Sequence, residues 1–207
     1  MPRPWFILGS VWEGDFGVLK PLLHSGVAGT LWVVPHRVDS LETLKIEACL
    51  VSSGLKSWVR SLEWERWGKE GRVTDGRWAA AEPAQAILVN EIGILSELYA
   101  CADWAYVGGG FGAGVHSTIE PAMYGVPVAT GPSQSERFPE SELLRSTQQL
   151  RVVRTAEDLI DWWKFAGMAA PKFRERWLLQ GREQLGAARR IAEMIRRASG
   201  LSLETRD

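Results

Sequence analysis

The sequence predicts an α/β fold in which a parallel sheet carries helices on both faces. Short apolar runs alternate with segments of helical periodicity, the pattern of strands joined by crossover helices. The alternation repeats through six or seven units. The chain has 207 residues with 45% hydrophobic content, enough for one sizeable core.

In chain order, the first apolar run, Trp5 to Gly9, reads as a strand and Gly17 to Ser25 as its helix. Thr30 to Pro35 is the second strand, followed by a helix from Leu41 to Ser52. Ser57 to Ser61 is the third strand. Residues 63–83 break the rhythm with glycines, charges and Trp64, Trp67 and Trp78, and read as an irregular surface excursion. Ala86 to Asn90, Trp104 to Gly108 and Pro127 to Thr130 are strands, with helices from Gly93 to Ala102 and from Thr118 to Tyr124 between them. The second of these is expected to stop after two turns, because Gly125 and Pro127 follow it. A helix from Glu136 to Ser146, a short strand at Leu150 to Val153, a helix from Ala156 to Phe165 and a long one from Pro171 to Ser199 complete the order.

Composition narrows the function. Lys and Arg number 24 and Asp and Glu 25, a net charge of −1, which gives no reason to expect a nucleic-acid partner. No apolar run reaches the ~18 residues of a membrane span or the core of a signal peptide, so the chain is expected to be soluble and unexported. Cys49 and Cys101 lie in apolar-periodic stretches and read as reduced core thiols. Eleven tryptophans against three tyrosines imply that some indoles sit at half-buried edges or interfaces. The near-zero charge hides an asymmetry: Lys172 to Arg197 holds eight basic and three acidic residues, an excess of five that leaves −6 for the remainder. Trp177, Leu178, Leu185, Ala188, Ile191 and Ile195 fall near one face of that segment. It is either a solvated face on a packed helix or a surface drawn to anionic lipid, at about 1 kcal/mol per basic residue.

Ligands of an open parallel sheet bind beyond the carboxyl ends of the strands. Those ends carry Ser10 to Asp15, Pro35-His36-Arg37, Asn90 to Gly93, Gly131-Pro132-Ser133 and, richest, Gly108 to Pro121. Two of the three histidines, His36 and His116, thus share one rim with the densest glycine cluster; His24, near the end of an early helix, has no such context. Five glycines between 108 and 114 either make a tight unliganded turn or let backbone N–H groups approach an anion, for which phosphate is the natural guest. The loop is neither a P-loop nor a dinucleotide fingerprint, since no Lys follows Gly114 and position 115 is not Gly. Ser117-x-x-Glu120 could form a capping box, but Pro121 argues against it. With Ser117 as cap, Pro121 would be the residue whose N–H makes the first helical bond; with Thr118 as cap, no bond is lost. Glu120 is then free in the first turn to meet sugar hydroxyls. His116 is a phosphate contact, a general acid or a packing residue. No metal-ligand spacing and no Gly-x-Ser-x-Gly elbow occurs, which disfavours metal and serine-hydrolase chemistry.

Asn90-x-Ile92-Gly93-x-Leu95-Ser96-x-Leu98-Tyr99, then Asp103-x-Ala105-Tyr106-Val107-Gly108-Gly109-Gly110-Phe111-Gly112-x-Gly114-Val115-His116, then Glu120, Gly125-x-Pro127-Val128 and Gly131-Pro132 resemble the C-terminal lobe of the 3-deoxy-D-manno-octulosonic acid (Kdo) transferases. Gly9-Ser10-x-Trp12 and Val34-Pro35-His36-Arg37 resemble that family's Gly-Ser-Thr-Trp and Val-Pro-Arg-His segments, so the likeness spans most of the chain. A generic sugar-nucleotide transferase shares the glycine, Glu and Gly-x-Pro pattern but not the run from Asn90 to His116.

The resemblance implies the Rossmann-like C-terminal lobe of a two-lobed GT-B glycosyltransferase, inverting and metal-independent, moving Kdo from CMP-Kdo to a lipid A precursor on the cytoplasmic side of the inner membrane. It places Ser10, His36 and Arg37 near phosphate and Ile92, Gly93 and Ile94 around the cytosine. Gly109, Gly110, Gly112, His116, Ser117 and Thr118 fall near phosphate and ribose, and Glu120 on the ribose hydroxyls. Residues 1–207 then form one donor-nucleotide-binding domain. The catalytic base belongs to an N-terminal acceptor lobe, which is absent, so the chain alone is expected to bind CMP-Kdo or CMP, without metal or cofactor, and to catalyse nothing. Two departures stand out. Ser117 occupies the place of a usual Asn, and His36-Arg37 inverts the commoner order, so that only one of the two faces the ligand. Rival readings are the lobe of a UDP-sugar transferase and a stand-alone, non-catalytic nucleotide-binding module.

The basic segment generates a prediction. The chain should co-sediment with anionic vesicles at low salt and progressively less as salt rises; no binding at low salt would refute the lipid reading of Lys172 to Arg197.

Overall fold

The computed structural model describes residues 3–26, 29–55, 57–61, 85–133, 135 and 139–167, with two isolated helical positions at 175 and 194. Seven strands, β1 (Trp5–Val11), β2 (Thr30–Pro35), β3 (Ser57–Ser61), β4 (Gln85–Asn90), β5 (Trp104–Val107), β6 (Val128–Thr130) and β7 (Leu150–Val152), form one sheet in the order β3-β4-β2-β1-β5-β6-β7. Every pairing is parallel. The helices are α1 (Phe16–His24), α2 (Ser40–Ser52), α3 (Leu95–Cys101), α4 (Ile119–Ala122) and α5 (Pro139–Ser146), and residues 156–167 are also helical. The excursion over 63–83 and the basic segment lie outside the described residues, apart from the two isolated positions.

Period-2 alternation divides the apolar side chains between two layers. Phe6 and Leu8 of β1 point into one layer with Leu19 and Leu22 of α1, Ile46 and Leu50 of α2, and Leu159 and Trp162 of the last described helix. Ile7 points into the other, with Trp32, Val34, Ile87, Ala105 and Val128 of the strands and Leu98, Tyr99 and Leu144 of the helices. Both layers are sealed: Phe6, Ile7 and Leu8 are fully buried. The open sheet with helices on both faces is the expected architecture.

Two expectations need correction, while that of half-buried indoles holds. The helix after the glycine loop makes one turn, Ile119–Ala122, instead of two. Gly125 at φ 69° reverses the chain, with its N–H bonded to the Ala122 carbonyl at 2.9 Å and that of Val126 to Pro121 at 3.3 Å. Cys101 is exposed and Cys49 only half-buried, because α3 turns Leu98 and Tyr99 inward and leaves Cys101 on the solvent side. Among the described tryptophans, Trp32, Trp104 and Trp162 are core residues at 8% exposure or less, while Trp5, Trp12 and Trp163 are half-buried. Trp163 lies against Trp104 at 4.5 Å and Phe6 at 4.7 Å between centroids, so much of the tryptophan excess packs on itself.

The sheet order reverses beside β1, which lies between β2 and β5. The crevice above the carboxyl ends of β1 and β5 is therefore the topological switch point, where this architecture binds ligands.

Candidate functional site

The crevice is built around a buried carboxylate. Asp15, at the end of the loop after β1, is 1% exposed. Its Oδ1 accepts the Tyr106 hydroxyl at 3.0 Å, and its Oδ2 accepts the backbone N–H of Gly109 and of Trp12, each at 2.9 Å. One side chain thus joins the β1 loop to β5 and to the first turn of the glycine loop. Burial raises the carboxyl above its ordinary value of 3.8, and the N–H groups of Gly109, Trp12 and Phe111 and the Tyr106 hydroxyl oppose that rise. The same environment pushes the Tyr106 phenol up. Asp15 precedes α1 as its N-cap, yet its side chain makes no capping bond.

The glycines of the loop serve close packing before they serve any ligand. A Cβ at Gly108 would collide with the Ser10 carbonyl and with Val11 Cα, and would stand 2.8 Å from Asp15 Oδ2. One at Gly110 would collide with the backbone of Gly131, after β6, and would force the two loops apart. Gly109 has φ 89°, and its carbonyl accepts the N–H of Gly114 at 2.8 Å and of Gly112 at 3.2 Å. The Gly110 carbonyl accepts Ser133 N–H at 2.9 Å. Gly112 alone among Gly108, Gly109, Gly110 and Gly112 is exposed, with open space where a Cβ would be.

Above this base three rings stack. Trp12 lies on His36 at 4.6 Å and 27°, and His36 lies on His116 at 4.1 Å and 22°. Ser10, a bulge with φ 52° between Gly9 and Val11, lets β1 run on to pair Val11 with Pro35, and the His36 N–H bonds the Val11 carbonyl at 3.0 Å. Trp12 and His36 thereby meet. Between His36 and Arg37, it is His36 that faces the glycine loop. Arg37 turns away, its Nε on Asp39 Oδ2 at 2.9 Å, while Asp39 Oδ1 caps α2 by accepting the Glu42 N–H at 2.9 Å. Burial lowers both imidazole pKa values; Arg37 and then an opposing Glu42 act next on His36, and His36 acts on His116.

His116 Nε2, Trp12 Nε1 and Thr118 Oγ1 are buried without a hydrogen-bond partner among the described residues. Each such group carries a desolvation cost of about 1–3 kcal/mol until it is paired. Thr118 is the N-cap of α4, as Pro121 requires, and is 1% exposed; Ser117 is half-buried. Glu120 is exposed in the first turn, and its charge reaches the buried Tyr99 phenol, which burial and Glu120 together push up. Gly9 is bare because the Tyr99 hydroxyl occupies the place of a Cβ.

The loop after β4 stands to one side. Ile92 is 79% exposed, Gly93 has φ 94°, and Ile94 packs against the second core layer. Ser96 Oγ and the Tyr124 hydroxyl, 3.0 Å apart, tie the start of α3 to the end of the Glu120 helix. A cavity of about 260 Å³ is lined by Trp12, Glu13, Asp15, Glu42, Lys45 and the 109–113 segment of the glycine loop. Three carboxylates against one ammonium make it a poor host for phosphate. Among the described residues no group of three or more His, Cys, Asp or Glu side chains is placed to hold a metal ion, and no helix is long and apolar enough to cross a membrane.

Sequence reasoning missed Asp15 and Trp12 as parts of the site. An Asp between Gly14 and an apolar helix start reads as an ordinary cap. Its partners Tyr106 and Gly109 lie 91 and 94 residues away.

No family model matches the chain. A 3-deoxy-D-manno-octulosonic acid transferase of Chlamydia muridarum is 32% identical over 160 residues, covering 75% of this chain and 33% of the relative. One from Chlamydophila psittaci is 34% identical over 137 residues, covering 63% and 28%. The chain thus spans about a third of the length of the curated relatives it matches. Among solved structures, the C-terminal CMP-Kdo binding domain of WaaA from Acinetobacter baumannii superposes with a TM-score of 0.65 over 88% of this chain and 89% of that one, at 19% identity.

Two predictions follow from this geometry. Gly110→Ala should lower the melting temperature by an overpacking cost of about 1–3 kcal/mol, whereas Gly112→Ala, with no neighbour within 4 Å, should leave it unchanged; equal effects would refute the packing account. Asp15→Asn should destabilise the fold by about 1–3 kcal/mol at neutral pH, because an amide N–H₂ would face donors. The sign with pH is fixed by burial. A carboxyl raised in the folded chain contributes most stability below its ordinary 3.8 and loses it as pH rises through the raised value. The Asn variant lacks that titration, so the melting-temperature gap between native chain and variant should narrow as pH rises across this window. A widening gap would show that the hydrogen bonds outweigh burial.

Proposed function

We propose, for a chain homologous to the Kdo transferases and folded like the C-terminal CMP-Kdo binding domain of WaaA, that it is the donor-binding half of a Kdo transferase. The observation that carries this reading is the convergence of His36, His116 and Thr118 at the switch-point crevice, with buried polar atoms of His116 and Thr118 left unpaired. A phosphate is the group this arrangement lacks. The histidine pair suits it, whereas the cavity that Glu13, Asp15 and Glu42 line does not.

CMP-Kdo would lie with its phosphate against His36, His116 and the 116–118 backbone. Glu120, free in the first turn of α4, would accept the ribose hydroxyls, and the 92–94 segment with the exposed Ile92 would border the cytosine. Arg37, committed to Asp39, would add positive field from the side without touching the phosphate. Gly109 and Gly110 would act by shaping the loop.

Transfer would need a second lobe carrying the base and the acceptor, a lipid A precursor at the cytoplasmic face of the inner membrane, and would proceed without metal. The separate chain would bind donor and product and turn over neither.

Isothermal titration of the chain with CMP, UDP and NAD tests the assignment: CMP should bind preferentially, and preference for UDP or NAD would sink it. Glu120→Ala should weaken CMP by about 1–3 kcal/mol without lowering the melting temperature; unchanged affinity would remove Glu120 from the ribose.

A further inference from the structure

We propose that the Trp12, His36 and His116 stack is a proton-coupled anion site, in which a nucleotide phosphate binds together with one proton taken from solvent onto the histidine pair. This rests on the donor-domain reading and adds to it how the site obtains its positive charge.

His36 is the middle ring, with Trp12 on one face and His116 on the other. A cation held between two aromatic faces is stabilised by their π-electrons, so the middle position suits an imidazolium. Yet two imidazoles 4.1 Å apart cannot both be charged without strong repulsion. The pair has room for one proton. The charges reaching it are few. Arg37, on the same loop, opposes protonation of His36; Glu42, from α2, favours it; His116 is reached by His36 alone. The β1 loop supplies the uncharged Trp12, and next to it Glu13 and Asp15 line the same cavity as Trp12, Glu42 and Lys45. Arg37 is itself engaged by Asp39. Burial is the main influence on both rings and holds them below the ordinary histidine value of 6.5, so that each favours the neutral form more than a free imidazole does.

His116 Nε2 shows what is missing: it is buried and has no partner among the described residues. A phosphate oxygen brought to the pair supplies an acceptor and a negative charge together, and both favour an added N–H. The balance is simple. One proton passes from water to an imidazole nitrogen as the phosphate enters, and it returns to water when the phosphate leaves. No bond of the ligand changes. Binding should therefore weaken as pH rises, in a range where a site built on Arg or Lys would not respond.

The test is calorimetric titration of the whole chain with the methyl ester of cytidine 5′-phosphate, whose single phosphate charge does not titrate near neutrality. Measured at pH 7 in buffers of different ionisation heat, binding should take up about one proton per nucleotide, and the association constant should fall up to ~tenfold per pH unit above neutrality. His36→Gln and His116→Gln should each bind more weakly and lose most of the uptake, while His24→Gln, a change at an exposed residue on α1, should keep it. If one of the site variants fails to fold, the other carries the comparison. Tight binding with no proton uptake would overturn the coupling and leave the donor domain standing. A chain that binds neither this ester nor CMP would contradict both.

Discussion

The site depends on the Asp15 carboxylate. Buried at 1% exposure, it accepts bonds from Tyr106 on β5, Gly109 in the glycine loop and Trp12 on its own loop. β1 and β5 pair in register up to Gly9 and Val107, but beyond the sheet their loops belong to chain segments 91 and 94 residues apart, and Asp15 bridges them. A buried acceptor without donors would be intolerable, so the carboxylate holds both loops to one geometry. Burial in turn makes Asp15 a weaker acid than an exposed carboxyl.

From that constraint the rest of the crevice follows in layers. With Gly109 pinned, Gly110 lies against Gly131 and the β6 loop closes in, its Ser133 N–H bonding Gly110 and its carbonyl taking the Val115 N–H at 3.2 Å. His116 follows Val115 and is carried to the rim. With Trp12 pinned and Ser10 bulged, His36 is drawn between Trp12 and His116. Trp12 Nε1, His116 Nε2 and Thr118 Oγ1, on these loops, are buried without partners among the described residues, as are indole N–H groups of Trp5, Trp32 and Trp104 elsewhere in the fold.

Much of this was legible in the residues. Strands β2 and β3 begin and end where their apolar runs do, and Thr118 caps the helix where Pro121 demands it. The rim holding His36 and His116 came from the residues that follow the carboxyl ends of the predicted strands. What escaped was non-local. Gly108 and Gly110 left a tight turn and a ligand cradle equally open, because the neighbours that decide it, Ser10 and Gly131, belong to other strand ends. Asp15 carries no local signal of its partners Tyr106 and Gly109, 91 and 94 residues away. The choice between His36 and Arg37 turned on Asp39, close in sequence, which satisfies Arg37 and the α2 terminus at once. The short α4 needed both Pro121 and the left-handed Gly125 to be weighed together.

The central claim is that a nucleotide phosphate sits over the His36 and His116 rings at the end of β1 and β5. The most direct measurement is an amide and imidazole chemical-shift map of the chain as CMP is added. The account predicts shifts concentrated at His36, Gly109 to Glu120 and the 92–94 segment, with His36 and His116 ring signals among the largest. Shifts confined to the sheet's other edge, around Arg151 and Trp162, or absent from both histidines, would contradict it.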